Sequence, residues 1–149
     1  MLKEELKSKV DNILEETLII IKPDAVRKKV VGKILDKFES NGFKIKALKM
    51  MHLDEQKARE FYSIHKEKPF FEELVRFITS GPVVVAIIEG GDSIKRVREL
   101  IGDTNPAKAE EGTIRREFGT NVTMNAIHAS DSYESFIREA KVIFSDNYC

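Results

Sequence analysis

Two uninterrupted apolar runs constrain the fold more than any other feature of this 149-residue sequence. They are residues 18–21, Leu-Ile-Ile-Ile, and residues 83–88, Val-Val-Val-Ala-Ile-Ile. Each run has the length of a strand, and apolar side chains at consecutive positions are typical of a strand that is buried on both faces. The sequence therefore predicts a sheet with two fully buried strands.

Alternation and helical spacing predict the remaining elements. Phe43, Ile45 and Ala47 alternate with lysines, which predicts a half-exposed strand ending near Met51, and a short buried strand is predicted to end at Ile127. Apolar positions at helical spacing predict helices over residues 26–38, 54–62, 69–78, 92–101 and 136–144.

The order of these elements predicts the fold class. Strand, helix, strand, helices, strand, helix, strand, helix suits a βαββαβ sheet covered by helices on one face, an α/β protein of the α+β sandwich type. Gly90-Gly91 is predicted to turn the chain. Residues 102–122 lack periodicity, and a loop of this length in a compact domain is usually functional or disordered.

The N-terminal residues 1–15 carry a separate, narrower pattern. Apolar side chains recur every fourth residue, which predicts an N-terminal helical extension docked on the domain or on another subunit. A frayed extension explains the same residues equally well, and the sequence leaves both open. Residues 16–149 are predicted to form a single domain, as is usual for this length.

Charge and cysteine content narrow the class of protein. Lys plus Arg and Asp plus Glu both number 25, and the resulting zero net charge argues against a protein built around nucleic-acid backbone. The single cysteine, Cys149, excludes a disulfide within the chain and a cysteine-based metal site. No apolar run is long enough to span a membrane, and the charged N-terminus does not resemble a signal peptide. We expect a cytoplasmic protein without a membrane partner.

The stretch at residues 125–132, Asn-Ala-Ile-His-Ala-Ser-Asp-Ser, holds the strongest candidate for catalysis. His128 follows a predicted strand and precedes a helix start, where Asp131 and Ser132 are N-cap residue types and Glu134 would complete a capping box. This position holds an imidazole still beside a helix N-terminus, which favours phosphate. A lone histidine among apolar residues is more often a packed core residue, so a catalytic role for His128 must be inferred from the rest of the sequence.

Two further residues are candidates by position. Lys22 ends the first apolar run before Pro23, and it is either a solvated lysine or a phosphate contact. Glu139, three residues after Phe136, lies at the edge of the last helix's apolar stripe and should face partly inward, toward the strand with His128. P-loop, dinucleotide-binding and protein-kinase signatures are absent, and the histidines are too scattered for a zinc motif.

Several stretches, in order and at matching spacing, resemble the nucleoside diphosphate kinase family. They include Lys22-Pro23-Asp24 within residues 17–26, and residues 61–62, 65–66, 68–71, 79–83, 104–106, 112–115 and 125–132. The resemblance runs from about Glu16 to Phe144, so residues 1–15 lie outside it. It implies a ferredoxin-like fold with an antiparallel sheet and ping-pong transfer of the γ-phosphoryl group from a nucleoside triphosphate such as ATP to a nucleoside diphosphate.

The resemblance assigns roles to individual residues. His128 matches the nucleophile that becomes phosphohistidine, Glu139 matches the carboxylate that holds the far ring nitrogen, and Ser130 supports that pair. Imidazole suits the task because its ordinary pKa, about 6.5, leaves it largely neutral at pH 7. Phosphoryl transfer depends mainly on positioning and charge neutralisation. The residues that match positions around the phosphates are Lys22, Tyr62, His65, Arg98, Thr104 and Arg115.

The same resemblance implies how the nucleoside and the metal ion are bound and that the protein is an oligomer. Asn125 and Lys22 match residues that hold the ribose 3′ hydroxyl, and Phe70 and Val122 match the pair between which the base stacks. Apolar stacking discriminates poorly among bases, which predicts a broad nucleotide range. Mg²⁺ is expected to be held mainly through the nucleotide phosphates. A homo-oligomer is expected, either a tetramer or a hexamer built from dimers.

Two departures from the family pattern and one alternative remain. Thr123-Met124 stands where many members have Gly-Arg, and Ala129 stands where glycine is usual. The alternative is a non-enzymatic nucleic-acid or protein binding module, because ferredoxin-like sheets can bind RNA through exposed aromatics. A binding module has no need of His128 together with Lys22, Arg115 and Asn125. The enzyme is therefore favoured, and nucleic acid is not expected as the main partner.

Overall fold

The computed structural model describes residues 13–144. Its strands are β1 (Leu14–Ile21), β2 (Lys44–Met51), β3 (Val83–Gly91) and β4 (Ile127–Ala129). Its helices are α1 (Pro23–Arg27), α2 (Val31–Ser40), α3 (Glu55–Phe61), α4 (Phe71–Ile78), α5 (Ser93–Ile101), α6 (Ile114–Phe118) and α7 (Tyr133–Phe144), with 3₁₀ turns at Ser63–His65 and Pro106–Lys108.

The four strands form one antiparallel sheet in the order β2-β3-β1-β4. Both predicted apolar runs lie at its centre, in β1 and β3, and β1 pairs with both β3 and β4. In that register Ile20 lies opposite Val85 on one side and His128 on the other. The predicted α+β class and the antiparallel βαββαβ topology are confirmed.

Helices cover both faces of this sheet, so the prediction of a single covered face is wrong. Leu18 and Ile20 pack into one core cluster with residues of α3, α4 and α7. Ile19 and Ile21 pack into a second cluster with residues of α1, α2 and α5. All four side chains are fully buried. Consecutive apolar residues point to opposite faces of a strand, so both faces need cover.

The N-terminal boundary differs from the prediction. β1 begins at Leu14 and pairs Leu14 with Gly91 and Glu15 with Gly90, so residues 14 and 15 are strand rather than helix. Residues 1–12 of the predicted extension lie outside the described residues. The same pairing places Gly90 and Gly91 inside β3, and the turn falls at Asp92 with a left-handed φ of 49°.

Four other local predictions need correction. The helix predicted over residues 26–38 is two helices, because the chain turns at Lys29 with a φ of 62°. Helix α4 begins at Phe71 rather than Pro69, and residues 102–122 contain α6. The N-cap of α7 is Ser132, one of the two predicted N-cap residues: its hydroxyl accepts from the Ser135 N–H at 3.1 Å. This cap replaces the predicted capping box of Asp131 and Glu134.

No helix in residues 13–144 has both the length and the apolar character required to cross a bilayer.

Candidate active site

A cavity of about 480 Å³ opens where β1 ends and β4 begins, beside α3, α4 and the loop before β4. Its lining includes every predicted site residue except Ser130, which lies behind Glu139. These are Lys22, Tyr62, His65, Phe70, Arg98, Thr104, Arg115, Val122, Asn125, His128 and Glu139. Chain segments more than one hundred residues apart therefore meet around one space.

His128 and Glu139 form a hydrogen-bonded pair at the wall of this cavity. His128 is the central residue of β4, and Glu139 faces it from the buried side of α7. The His128 Nε2 atom lies 2.8 Å from Glu139 Oε1, and the Ser130 hydroxyl donates to the same oxygen at 2.8 Å. The side chain of Glu139 is only 5% exposed, so little water competes for it.

This geometry determines which imidazole nitrogen is available for chemistry. An ionised carboxylate can only accept hydrogen bonds, so Nε2 must carry the proton that it shares with Glu139. In the neutral ring the lone pair is then on Nδ1. The Phe61 ring packs edge-on to the imidazole, with centroids 4.9 Å apart, and limits its rotation. In its neutral form His128 thus directs the lone pair of Nδ1 away from Glu139.

Arg138 was missed by the sequence reasoning, although it lines the same cavity. Its guanidinium donates to the Phe61 carbonyl at 2.8 Å and lies 3.5 Å from Glu139 Oε2. One side chain therefore ties α3 to the carboxylate that holds the imidazole. The only sequence signal for Arg138 was its position directly before Glu139 on α7. That signal was weak, because adjacent residues on a helix normally point in different directions.

Lys22 and Asn125 meet at the opposite wall. The Lys22 ammonium donates to Asn125 Oδ1 at 2.8 Å, and the Asn125 amide donates to the carbonyls of Thr104 and Val122 at 3.0 and 3.2 Å. Burial and the nearby Arg115 charge lower the pKa of Lys22 to about 8, partly opposed by Asp24. The site holds a buried cation that a negatively charged ligand would stabilise.

Two arginines add positive charge to this wall. Arg115 donates to the carbonyls of Gly102 and Ile127 at 3.0 and 2.9 Å, and burial together with Arg98 lowers its pKa to about 10. Its Nε is buried without a hydrogen-bond partner among the described residues, so one donor is uncommitted. Arg98 donates to the Ala129 carbonyl at 3.1 Å. Clustered cations with free donors suit an anionic ligand.

The chain before His128 is held by Asp24. Ala126 has a left-handed φ of 76°, in a turn closed by the Ile127 N–H donating to the Asn125 carbonyl at 3.0 Å. Its N–H donates to Asp24 Oδ2 at 3.0 Å, and its carbonyl accepts from the Lys22 N–H at 2.9 Å. A non-glycine residue adopts this conformation only when its surroundings impose it. Ala129, by contrast, is ordinary strand paired with Ile19.

The outer end of the cavity is aromatic and apolar. Phe70 and Val122 are 43% and 56% exposed, so both offer free surface.

Tyr62 is buried, and its burial and the Glu139 charge raise the pKa of its phenol far above the ordinary value, which keeps the hydroxyl protonated. Burial and Lys68 lower the pKa of His65, whose Nδ1 is buried without a hydrogen-bond partner in residues 13–144.

The Lys22 pKa yields a prediction about pH. ADP affinity should fall by up to about tenfold per pH unit above about 8, because the neutral amine must regain its proton before it can hold a phosphate. Calorimetric titration from about pH 7.5 to about pH 9 stays below the pKa of about 10 of Arg115. Lys22→Met should bind more weakly but with a flatter profile. An equally steep profile in that variant would assign the pH dependence to another group.

Comparisons with known proteins show the family of this chain. Residues 15–148 match the model of the family described as nucleoside diphosphate kinase. The nucleoside diphosphate kinase of Campylobacter jejuni serotype O:2 is 52% identical over 134 residues, 90% of this chain and 98% of that protein. The enzyme of that name from Aquifex aeolicus is 56% identical over 135 residues, 89% of this chain and 95% of that protein.

Solved structures give the same result. A crystal structure of the Aquifex aeolicus nucleoside diphosphate kinase superposes with a TM-score of 0.87 at 55% identity, covering 90% of this chain and 97% of that one. The Halobacterium salinarum nucleoside diphosphate kinase in complex with CDP has a TM-score of 0.85 at 41% identity, covering 89% of both chains. The fold is that of a nucleotide phosphotransferase. The chain belongs to the nucleoside diphosphate kinase family, and the reading as a non-enzymatic binding module is not favoured.

Proposed function

We propose that this chain transfers the γ-phosphoryl group of a nucleoside triphosphate such as ATP to a nucleoside diphosphate, with His128 as the intermediate carrier. The observation that carries the proposal is the 2.8 Å contact between His128 Nε2 and Glu139, which leaves the Nδ1 lone pair for attack at phosphorus. Ser130 supports the contact from behind by donating to the same oxygen.

The transfer is two substitutions at phosphorus. In the first, the bond from His128 Nδ1 to the γ-phosphorus forms, the bond from that phosphorus to the β–γ bridging oxygen breaks, and the diphosphate leaves with the electron pair. In the second, a terminal oxygen of another diphosphate attacks the same phosphorus and the Nδ1–P bond breaks. A covalent intermediate lets one cavity serve donor and acceptor in turn.

The residues around the phosphates act by position and charge. Lys22, Arg98 and Arg115 supply the positive charge that phosphoryl transfer needs, and the protonated Tyr62 hydroxyl supplies a neutral donor. His65 and Thr104 line the same cavity and complete the proposed phosphate contacts. Asn125 shares its oxygen with Lys22, so this pair is proposed to hold the ribose 3′ hydroxyl.

Mg²⁺ is proposed to enter with the nucleotide. Lys22, Arg98 and Arg115 are donors that fit phosphate oxygens and do not ligate a metal ion. Magnesium commonly binds through substrate phosphates and keeps several waters, so a protein cage is unnecessary. The ion would supply charge neutralisation on the phosphates.

Assembly and location are part of the same proposal. β2 is an edge strand of the sheet, and its Leu48 and Met50 side chains are 51% and 61% exposed. Exposed apolar side chains beside an open strand edge support association between copies of the chain. A homo-oligomer built from dimers, as tetramer or hexamer, and a cytoplasmic location remain predictions.

A labelling experiment tests the proposed transfer. The protein incubated with γ-labelled ATP and separated from nucleotide should retain label, and unlabelled ADP, GDP, CDP or UDP should each remove it as the triphosphate. Because Phe70 and Val122 offer mainly apolar contact, the four transfer efficiencies should lie within roughly two orders of magnitude. Failure to retain any label would contradict the phosphohistidine route, and transfer to only one base would contradict a stacking site.

A further inference from the structure

A hydrogen bond links the two sides of the proposed base slot. The Thr123 hydroxyl donates to Glu73 Oε1 at 3.0 Å, joining α4 to the loop before β4. Glu73 follows Phe70 by three residues, and Thr123 follows Val122 directly. Both Glu73 and Thr123 line the cavity. A carboxylate therefore lies beside the pair of side chains between which a base would stack.

The loop that carries Thr123 is held in place. The Thr123 N–H donates to Asn121 Oδ1 at 3.0 Å, and the Thr123 carbonyl accepts from the Lys22 ammonium at 3.4 Å. The hydroxyl is consequently presented from a fixed backbone. Since Thr123 contacts one oxygen of Glu73, the carboxylate retains further lone pairs that can accept from a ligand.

The charges along the cavity give a bound nucleotide a direction. Arg98 and Arg115, which donate to carbonyls of β4, attract phosphates toward that strand, whereas Glu73 repels them from the side of Phe70 and Val122. A nucleotide oriented in this way has its base at Phe70 and Val122, next to Glu73. At that position a carboxylate can accept a hydrogen bond from an exocyclic amino group. It cannot form a hydrogen bond with an exocyclic carbonyl oxygen, because both oxygens are acceptors.

We propose that Glu73, oriented by Thr123, makes this site prefer bases with an exocyclic amino group over the corresponding carbonyl bases. This inference rests on the proposed nucleotide function of the cavity and adds a selective element to the otherwise apolar slot. It predicts that CDP is preferred over UDP and ADP over IDP, since each pair exchanges an exocyclic amino group for a carbonyl and the neighbouring unprotonated ring nitrogen for a ring N–H. The preference should be about three- to tenfold, the scale of one net hydrogen bond.

The test compares these matched pairs in the wild type, Glu73→Gln and Glu73→Ala. Steady-state kcat/KM with ATP as donor and equilibrium binding of each diphosphate are both measured. We expect both variants to bring the CDP/UDP and ADP/IDP ratios close to one, because glutamine offers a donor as well as an acceptor and alanine offers neither.

Glu72→Gln is the matched control. Glu72 is the adjacent residue, is exposed, and binds Arg59 at 2.9 Å outside the cavity, so its loss should leave both ratios unchanged. A general effect on helix α4 would change the kinetics for all four diphosphates alike and leave the ratios intact. Only a residue that contacts the base alters the ratios themselves.

The two measurements separate this inference from the proposed function. Transfer to all diphosphates with wild-type ratios of one, or with ratios that survive Glu73→Ala, would overturn the role of Glu73 and leave the kinase proposal standing. Binding ratios that depend on Glu73 in a protein that transfers no phosphate would support the role of Glu73 and overturn the proposed chemistry.

Discussion

The His128→Gln protein should fold and bind ADP but retain no phosphate from γ-labelled ATP. Glutamine can still present its amide N–H to Glu139 across the 2.8 Å contact, so β4 and α7 lose little packing. Its amide nitrogen has no lone pair available for attack at phosphorus, because that pair is delocalised into the carbonyl. The labelled phosphoenzyme should disappear, while the thermal unfolding transition and ADP binding stay near their wild-type values.

His52→Gln is the control for this experiment. His52 is exposed, bonds to the Thr79 carbonyl through Nε2 at 2.7 Å and lies outside the cavity, so its replacement should not affect labelling. Peptide mapping of the labelled wild type should locate the phosphate on His128. Label that persists in His128→Gln, or maps to His52 or His65, would refute the assignment of the nucleophile.

Glu139→Gln should slow phosphorylation of His128 by roughly ten- to a thousandfold, the scale of one positioned acid–base contact. The wild-type carboxylate accepts from His128 and Ser130 through Oε1 and faces the Arg138 guanidinium through Oε2. An amide cannot accept on both sides. If the amide oxygen of the substituted side chain faces His128, its NH₂ group faces the Arg138 guanidinium, which is also a donor. If the NH₂ group faces His128 instead, Nε2 must accept and the ring proton moves to Nδ1, the nitrogen that must attack.

Stopped-flow phosphorylation by ATP, measured beside equilibrium binding of ADP, separates the effect of Glu139 on chemistry from any effect on affinity. ADP affinity should change little, because the carboxylate contacts the imidazole rather than the cationic wall. Glu134→Gln, an exposed change on the same helix, should react at the wild-type rate. An unchanged rate in Glu139→Gln would show that the contact does not position the ring, and a large loss of ADP binding would place Glu139 at the phosphates.

The sheet could be predicted because its central strands are apolar at every position. The same runs were sufficient to predict cover on both faces, since Ile19 and Ile20 point in opposite directions and are both fully buried. Gly90 and Gly91 were assigned to a turn, although the backbone pairing with β1 extends β3 through both residues. Residue preferences are local, whereas strand length depends on a partner strand far away in sequence.

The catalytic candidates could be predicted because they belong to dense motifs, and Glu139 could be found from its place on an amphipathic helix. Glu73, Thr123 and Arg138 could not be found in this way, because a polar residue on a helix or loop looks like any solvated side chain. The spacing of Glu73 from Phe70 was the one available signal, since residues three apart share a helix face. Asp24 was included in a motif, but its contact with Ala126 depends on a left-handed backbone conformation that an alanine in the sequence does not predict.

The contact between Lys22 and Asn125 joins positions 103 residues apart, and this separation affects how the protein matures. During synthesis β1 emerges early but has no nucleotide site, because Asn125, His128 and Glu139 have not yet been made. A growing chain therefore lacks the proposed nucleotide site. Once residues 125–139 have joined the sheet, bound nucleotide stabilises only the finished fold, by mass action. Cellular nucleotide thus selects the mature molecule over partly folded ones.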